Sequence, residues 1–442
     1  MQGNNLSKIC KTITNFFSET TQKIGTTVKF VKRQSKLTAC LFAESLIMGS
    51  LLNPTVSLED MRRLLKQRGV KISKQGLHQR FTPEATNLMK NLFEESLQQF
   101  KNEKQDVIEL LQPFSSVEIL DSSGISLPFK LKDLYEGFGG GASEAGLKIQ
   151  VIFNYVNAQI KDVTLTGARK NDQSFKGHLK KIEKGTLYLQ DLGYFNTESF
   201  KAIIDAEAYF ISRYLVQTKI FDLEREEIDL LKDLRKAGSV FTKEVLLGKA
   251  NKVKTRLIGF LLPAEEYKKR VRKLNKEAQE KGRTPKQETL ELAKWSIFVT
   301  NVSENLLNDK QVYLVYLLRW QIELFFKLCK SEAGIDKING RNPDRVLCEI
   351  YAKLICVVTF FHFCFPVRWQ EKHELSFYRA YKQLRHRFSD FFTALKSPYR
   401  LLRFLEGFLD DLKDFAVKEK PCKKRRASYQ KLMDSTGQEV LV

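Results

Sequence analysis

The sequence has few of the residues from which disulfide frameworks and zinc sites are built. Its seven cysteines form no CxxC pair, and their number is odd. We therefore predict a reduced protein of the cytoplasm rather than a disulfide scaffold. The five histidines lie far apart in the sequence and indicate no zinc site.

Long apolar runs and an apolar segment near the N-terminus are also absent. The first residues, MQGNNLSKICKTITNFF, lack the apolar core of a signal peptide. The most apolar run, residues 354–367, has about 14 residues, fewer than the ~20 that span a bilayer. We expect a buried core helix there and no membrane partner.

The sequence has an excess of positive charge. Its 442 residues include 74 Lys plus Arg against 52 Asp plus Glu, a formal net charge of +22. This excess favours a polyanionic partner, most simply nucleic acid, although a basic ribosomal or membrane-surface protein would share it. The length is enough for about two to four domains and a sizeable core.

The segment SLEDMRRLLKQRGVKISKQGLHQRF has the pattern of a helix-turn-helix. Ser57 can cap a first helix, Gly69 lies in the turn, and Ser73 can cap a second helix. The second helix would expose residues suited to phosphates and base edges, which are Lys74, Gln75, His78, Gln79 and Arg80. We expect DNA contact through Lys74 and Arg80. The alternative is an ordinary helical hairpin with a solvated basic face.

The middle of the chain predicts an α/β layer. Five segments are typical of strands, in the order VEILDSSG, LKIQVIFNYVN, DVTLTGAR, GTLYLQDLGYF and AYFISRYL. A helical stretch is predicted after the third strand and another, TESFKAIIDAEA, after the fourth. Residues from about 216 to 305 predict a β-rich insertion, with strands in FTKEVLLG, VKTRLIGFLL and WSIFVTNV and a charged helix between them.

The segment YLLRWQIELFFKLCK, residues 316–330, predicts one helix, because it has good helix formers and neither Gly nor Pro. Its polar stripe, at helical spacing, consists of Tyr316, Arg319, Glu323, Lys327 and Lys330. Apolar residues cover most of the remaining surface, which indicates a buried helix. The stripe is either an internal ion pair of Glu323 with Arg319 or Lys327, or a catalytic carboxylate among phosphate-binding cations.

Two aspartates, Asp121 and Asp191, each follow an apolar strand, where ligands bind in open α/β sheets. Either one alone could be a turn or a helix cap. Together with Glu323 they make three carboxylates suited to Mg²⁺, a hard cation that takes oxygen ligands. Two such ions about 3.5–4 Å apart can activate an attacking oxygen and stabilise a leaving one.

The positions of Tyr316, Arg319, Glu323 and Lys330 match a Y-x2-R-x3-E-x6-K signature. With LDSSGISLP and LQDLGYF as two aspartate motifs, the sequence resembles the YREK-type DDE transposases of the insertion-sequence-four group. The resemblance covers residues 117–345 well, the N-terminal helices loosely and the last hundred residues hardly at all.

This resemblance implies an RNase H-like catalytic core in which Asp121, Asp191 and Glu323 hold two Mg²⁺, with Mn²⁺ able to substitute. It implies cut-and-paste transposition of an insertion sequence by a synaptic homodimer, on a route that can include a DNA hairpin. The DNA partners would be the element's terminal inverted repeats and its target. The enzyme would work in the bacterial cytoplasm, associated with the nucleoid.

The same resemblance implies DNA-binding roles for further residues. Tyr316, Arg319 and Lys330 would grip the phosphates near the scissile bond. Trp295, in KWSIFVTN, matches a Trp that stacks on a flipped base during hairpin formation; the alternative is a core Trp on a strand. Arg213, in YFISRYL, matches a basic position near the DNA end.

We predict three parts of the chain. Residues 1–112 would form a helical DNA-binding domain, 113–345 the catalytic domain with its insertion, and 346–442 a helical C-terminal domain suited to dimerisation. A basic tail, KEKPCKKRR, lies near the end. The alternatives are a non-catalytic helix-turn-helix DNA-binding protein and a stand-alone RNase H-like nuclease. The three carboxylates favour the transposase over the regulator, which has no need of a negative cluster beside DNA.

Overall fold

The computed structural model describes residues 2–33, 35–101, 109–139, 143–338, 340–368 and 375–417, so the predicted basic tail at 418–426 lies outside them. The chain packs into two compact units, each made from separate stretches of sequence. The first unit comprises Met1–Asp106, Ser122–Lys170 and Gln321–Ala427, and the second includes Val107–Asp121 and Asn171–Trp320. The predicted domain boundaries follow the chain, whereas these units are discontinuous.

Most of the regular structure is helical. The α-helices of the described residues are α1 (Gln2–Asn15), α2 (Thr21–Thr27), α3 (Ala39–Leu52), α4 (Leu58–Gln67), α5 (Lys74–His78), α6 (Pro83–Gln99), α7 (Thr197–Asp205), α8 (Leu230–Lys236), α9 (Ala264–Glu280), α10 (Gln287–Leu292), α11 (Asp309–Tyr316), α12 (Trp320–Ser331), α13 (Pro343–Arg368), α14 (Phe377–His386), α15 (Phe388–Ala394) and α16 (Pro398–Phe415). The strands are β1 (Ser116–Ser126), β2 (Gly146–Asn154), β3 (Gln159–Gly167), β4 (Thr186–Gln190), β5 (Tyr209–Arg213), β6 (Ile220–Phe221), β7 (Val240–Leu247), β8 (Val253–Leu261) and β9 (Trp295–Thr300).

Side-chain caps fix where several helices of the first unit begin. Thr38, Ser57, Thr82 and Ser397 each accept a hydrogen bond from a backbone N–H in the first turn of the next helix. Each such cap satisfies a donor that has no partner within the helix. Helices α6 and α16 also start with a proline, whose missing N–H costs nothing at that position.

Helix α13 forms the core of the first unit. It packs against α3, α6, α1 and α16. Within the described part of the chain, Pro343–Cys364 is the stretch long and apolar enough to cross a membrane, and it is buried throughout, as expected of a core helix. Its buried Lys353 donates to the carbonyl oxygen of Gly334 at 2.9 Å and to that of Lys337. These contacts satisfy a cation that would otherwise be costly to bury.

The strands of the first unit are β2 and β3, which pair antiparallel, together with residues 122–126 of β1. Their order is β3-β2-β1. In the second unit the order is β1-β4-β5-β9-β8-β7-β6. Strands β1, β4 and β5 are parallel there, and β9, β8, β7 and β6 continue the sheet with antiparallel pairing.

One predicted helix is absent from the described part of the chain, and the predicted insertion strands have a defined place in the sheet. The helical stretch expected between β3 and β4 consists of two 3₁₀ turns, Asp172–Ser174 and Gly177–Lys181. The side chain of Asn171 accepts from the N–H of Gln173, a local bond that competes with helix formation. The strands expected in the insertion are present as β7, β8 and β9, and they extend the sheet of the second unit beyond β5.

The packing of α2 on α3 can be tested with two glycines in helices. A Cβ at Gly25 of α2 would lie 2.3 Å from the Cβ of Ala39, whereas a Cβ at Gly407 of α16 would have no atom within 4 Å. Gly25→Ala should lower the free energy of unfolding by about 1–3 kcal/mol through overpacking. Gly407→Ala should raise it by about 0.5–1 kcal/mol through helix propensity. Urea unfolding measures both, and changes of the same sign would contradict the described packing.

Candidate active site

Three predicted site residues lie at one level of the sheet in the second unit. The last register pair between the parallel strands β1 and β4 joins Leu120 to Gln190, the residues immediately before Asp121 and Asp191. The last pair between β4 and β5 likewise ends one residue before Arg213. Registered residues of neighbouring parallel strands project to the same face, so Asp121, Asp191 and Arg213 form a charged row. Open α/β sheets bind ligands at such an edge.

Asp121 and Asp191 occupy different positions relative to the ends of their strands. Asp191 closes its strand as predicted, since the next residues form a 3₁₀ turn in which Tyr194 donates its N–H to the carbonyl of Asp191 at 2.9 Å. Asp121 does not end its strand, because β1 continues to Ser126. The pairing of β1 with β4 ends at Leu120, one residue before Asp121, because β4 itself ends at Gln190.

The predicted helix at 316–330 is not one regular α-helix. Helix α11 ends at Tyr316, Leu317–Arg319 form a 3₁₀ turn, and α12 begins at Trp320. A 3₁₀ turn has 3.0 residues per turn against 3.6 in an α-helix, so the regular spacing of the predicted stripe is interrupted here. Tyr316 ends the helix before the turn, Arg319 is the last residue of the turn, and Glu323 and Lys330 lie on the helix after it.

Arg319 connects the helical run to the charged row. Its Nη1 lies 3.4 Å from the Oδ2 of Asp121, and the two side chains are only 16% and 21% exposed. The 3₁₀ turn that carries Arg319 packs against β4, and its Leu318 is fully buried. The ion pair is therefore held by a fixed backbone and is screened less than a surface pair.

Tyr316 is the buried centre of this group. Its side chain is 7% exposed, and its ring meets the ring of Phe298 at a tilted, edge-on angle with 5.0 Å between centroids. Phe298 is the register partner of Arg213. Burial raises the pKa of the Tyr316 hydroxyl, Arg319 and Arg213 oppose that rise, and Asp191 adds to it. The phenol is therefore protonated at neutral pH and can act as a hydrogen-bond donor.

The group thus combines two carboxylates, two guanidiniums and a phenol. Asp121 is paired with Arg319, whereas none of the described carboxylates forms an ion pair with Arg213. The aspartates supply oxygen ligands of the type that hard divalent cations take, and the cations and the phenol supply donors for a phosphate. Across the described ranges no three His, Cys, Asp or Glu side chains are grouped to hold a metal ion. The carboxylates of this group that can supply oxygen ligands to a metal are Asp121 and Asp191.

Glu323 and Lys330 lie on α12 in the first unit, because the division between the units follows Trp320. Both side chains are partly exposed. Lys330 lines a cavity of about 10 Å³, room for about one water molecule, together with Ser123 of β1. Phe325, buried on the same helix, packs against aromatic rings of β2 and α13. The metal-binding role of Glu323 and the phosphate-binding role of Lys330 stay predictions from the signature.

Trp295 is the first residue of β9 and is 7% exposed. It pairs in register with Leu261 of β8, and a Cβ built on Gly259 would lie 3.3 Å from its Cε3. The side chain is therefore part of the interior of the second unit. A base can stack on Trp295 only after the indole leaves this position, and its DNA-binding role stays a prediction.

Arg270 of α9 is a residue of this region that sequence reasoning missed. Its Nη1 donates to the carbonyl oxygen of Trp295 at 2.7 Å. Burial lowers the pKa of its guanidinium, and Arg213 nearby lowers it further. The sequence feature that indicates Arg270 is its helical spacing from Tyr267, Val271 and Leu274. These residues form the half-buried stripe of an otherwise exposed helix, and Arg270 is a cation within that stripe.

Two capped helices stand where the helix-turn-helix was predicted, in the first unit. Ser57 and the side chain of Asp60 form a capping box at α4, and Ser73 accepts from the N–H of Gly76 at the start of α5. Helix α5 has only five residues, because the chain turns after it toward Pro83 of α6. Lys74 is exposed on α5, and Arg80 follows the helix. So short a helix presents few side chains to a DNA groove, so DNA contact here would also depend on residues of the flanking turns.

Comparison with known proteins identifies the family. The transposase DDE domain family matches residues 112–359. The transposase for insertion sequence element IS231F of Bacillus thuringiensis subsp. israelensis is 26% identical over 415 residues, covering 87% of this chain and 86% of that protein. The transposase for insertion sequence element IS1151 of Clostridium perfringens is 26% identical over 435 residues, covering 92% and 91%.

Among solved structures, the cryo-EM structure of the piggyBac transposase synaptic complex with hairpin DNA aligns with a TM-score of 0.48 and 10% sequence identity. The alignment covers 94% of this chain and 86% of that one. The family match alone spans more than half of the chain and includes Asp121, Asp191 and Glu323. The protein therefore belongs to the transposase DDE domain family, as an enzyme that cleaves DNA strands and transfers them.

Proposed function

We propose that this transposase moves an insertion sequence by a cut-and-paste route, as a synaptic homodimer that binds the element's terminal inverted repeats and the target DNA. The observation that carries the proposal is the charged row of Asp121, Asp191 and Arg213 beside Tyr316 and Arg319. The names of the relatives support an insertion sequence as the substrate. The enzyme would act in the bacterial cytoplasm at the nucleoid.

The core would be RNase H-like. Within the first unit, the neighbour of β1 in the sheet is the antiparallel hairpin of β2 and β3. Within the second unit, its neighbours in order are the parallel strands β4 and β5. This arrangement supports the proposal, with β6 to β9 and α9 as the β-rich insertion. The helical segments before and after the core would be the N-terminal and C-terminal helical domains of the sequence-based prediction.

Asp121, Asp191 and Glu323 would hold two divalent ions, Mg²⁺ in the cell with Mn²⁺ able to substitute. Bound ions would activate the attacking oxygen and stabilise the leaving oxygen at the scissile phosphate. The two aspartates offer carboxylate oxygens from a rigid parallel sheet, which supports a fixed ligand geometry. Glu323 is assigned to this metal site because of its place in the signature, four residues after Arg319.

The cationic residues would position the DNA strand. Arg213 and Arg319 can each bind two phosphate oxygens with a planar fork, whereas Lys330 offers a point charge. Tyr316, protonated because burial raises its pKa, can donate a hydrogen bond to the same phosphate. Arg213 is the strongest candidate among them, since its guanidinium is half-buried and has no ion-pair partner among the described carboxylates.

A non-catalytic DNA-binding regulator fits these observations less well. Two carboxylates at one sheet edge repel a polyanion, and a protein that only binds DNA gains nothing from them. A stand-alone nuclease on the same core would cleave DNA but would not join the cut end to a target. Strand transfer into a supercoiled plasmid therefore distinguishes the proposed transposase from the nuclease.

Glu323→Gln tests the metal-binding triad. The substitution keeps the shape of the side chain and removes its charge, so Mg²⁺-dependent cleavage of a duplex carrying the element's end should fall about a thousandfold, roughly 4 kcal/mol of barrier. Binding of the same duplex should change less than about twofold. Cleavage is measured on a labelled strand, and Glu280→Gln, an exposed position on α9, should cut at the wild-type rate. A Glu323→Gln enzyme that cuts as fast as wild type would remove Glu323 from the site.

The double variant Lys74→Ala with Arg80→Ala tests DNA contact by the N-terminal helices. Each lost phosphate contact should lower the slope of log affinity against log salt by about 1, so the double variant should lose about 2. The Mg²⁺ concentration for half-maximal cleavage should not change, because neither residue is a metal ligand. Gel-shift titrations at several salt concentrations measure the slope. An unchanged slope, equal to that of the exposed double variant Lys23→Ala with Lys90→Ala, would show that α5 has only a structural role.

Trp295→Ala tests base stacking in hairpin formation. An aromatic face can return ~1–3 kcal/mol to an unstacked base, so the variant should nick the first strand and then form the hairpin more slowly. The indole is buried, and its removal should also cost ~3–5 kcal/mol of stability. Both steps are therefore measured well below the melting temperature, with Trp295→Phe as the aromatic control. Equal losses of nicking and hairpin formation would assign Trp295 to the core alone.

A further inference from the structure

The first unit contains an open cleft of about 470 Å³ between the turn after α2 and the turn between α5 and α6. Its wall includes cations from both turns. They are Lys29, Lys32, Arg33 and Arg80. We call this feature the basic cleft. None of these residues belongs to the charged row or to the Tyr316 signature, and only Arg80 was expected to contact DNA.

The charges of the basic cleft are not balanced internally. Among the residues that the structure describes, Glu84 is the one carboxylate that lines it, and it is paired with Lys32 at 2.9 Å. The hydrogen bond from Lys32 lowers the pKa of Glu84 to about 2, so Glu84 stays ionised and offsets the charge of Lys32. Arg80 donates from Nη2 to the neutral Oγ of Ser35 at 2.9 Å. Three cations thus face the cleft without a carboxylate partner among its described walls.

Lys29 occupies a backbone position that normally belongs to glycine. Its φ is +57°, in the left-handed region that lysine rarely adopts. The N–H of Phe30 donates to the carbonyl of Gly25, and the N–H of Lys29 to that of Thr26, which is the Schellman pattern at a helix C-terminus. Strained backbone conformations of this kind cluster at functional sites, so the position directs attention to the lysine side chain. Here it lines the basic cleft.

We propose that the basic cleft binds a phosphodiester group of the DNA backbone. This inference rests on the proposed function, in which DNA is the substrate, and adds a phosphate site away from the catalytic group. Gln79 also lines the cleft, and Lys74 lies exposed on the short helix just before it, so a strand held in the cleft would pass along the predicted DNA-contact surface. Lysine and arginine are the side chains that release counterions from DNA on binding.

Lys29→Gly separates the effect of the left-handed backbone on stability from the effect of the positive charge on DNA binding. Glycine relieves the left-handed backbone, so the melting temperature should rise by about 1–3 °C. The same change removes a cation, so affinity for a fluorescein-labelled 30-base-pair duplex of random sequence should fall about eightfold at 0.1 M salt, and the slope of log affinity against log salt should fall by about 1. Fluorescence anisotropy measures binding to the full-length protein. A more stable protein that binds DNA more weakly is an outcome that a purely structural Lys29 cannot give.

Three controls complete the test. Lys23→Ala, exposed on the same helix α2 and outside the cleft, should keep the wild-type affinity and slope. Lys29→Asn, which tolerates the left-handed backbone without a charge, should weaken DNA binding as Lys29→Gly does. Lys29→Arg, which keeps the charge, should bind DNA within about twofold of wild type.

The proposal is overturned if Lys29→Gly binds the duplex with wild-type affinity and slope. It is also overturned if Lys29→Gly weakens binding of inorganic phosphate, measured by calorimetry, while DNA affinity stays unchanged, because the cleft would then be a site for a free anion. Failure of the proposed function looks different. In that case the wild-type protein shows no Mg²⁺-dependent DNA cleavage, whatever the effect of Lys29.

Discussion

The register of three parallel strands is the constraint on which the rest of the candidate active site depends. Pairing of β1 with β4 and of β4 with β5 brings Asp121, Asp191 and Arg213 to one level. A shift of one residue in either pair would turn one of these side chains to the opposite face of the sheet. Buried residues on both faces of β4 oppose such a shift, since every residue of this strand is buried. The buried residues of β4 thus fix the positions of the charged side chains at the end of the strand.

The helical run after β9 adds the remaining groups of the second unit's site. The 3₁₀ turn at Leu317–Arg319 packs on β4, orients Arg319 toward Asp121, and leaves Tyr316 buried against Phe298. The charged row adjoins the buried aromatic residues at this point, because Phe298 lies beside Arg213 in the sheet. The stretch Asn171–Trp320 of the second unit ends one residue after this turn.

Much of this arrangement can be predicted from sequence pattern, and the rest depends on packing. Apolar runs predicted β1 to β5, and strand-end and helical spacing singled out Asp121, Asp191, Tyr316 and Arg319. The 3₁₀ turn could not be predicted, because its residues are good helix formers and its packing on β4 is a contact between residues distant in sequence. Arg270 was missed since its significance comes from long-range contacts. The first and last helices belong to the same unit, and this likewise depends on contacts between residues that are distant in sequence.

The proposed catalysis depends on the binding of a divalent cation by the aspartates of the charged row. Electron paramagnetic resonance of free Mn²⁺ during titration into the full-length protein measures that binding without any DNA reaction. Wild type should take up Mn²⁺, and Asp121→Asn and Asp191→Asn should each weaken the uptake at least about tenfold, since each removes a charged oxygen ligand. Asp205→Asn, exposed at the end of α7, should bind as wild type does. Equal Mn²⁺ affinity in wild type and both charged-row variants would show that these aspartates do not bind the cation.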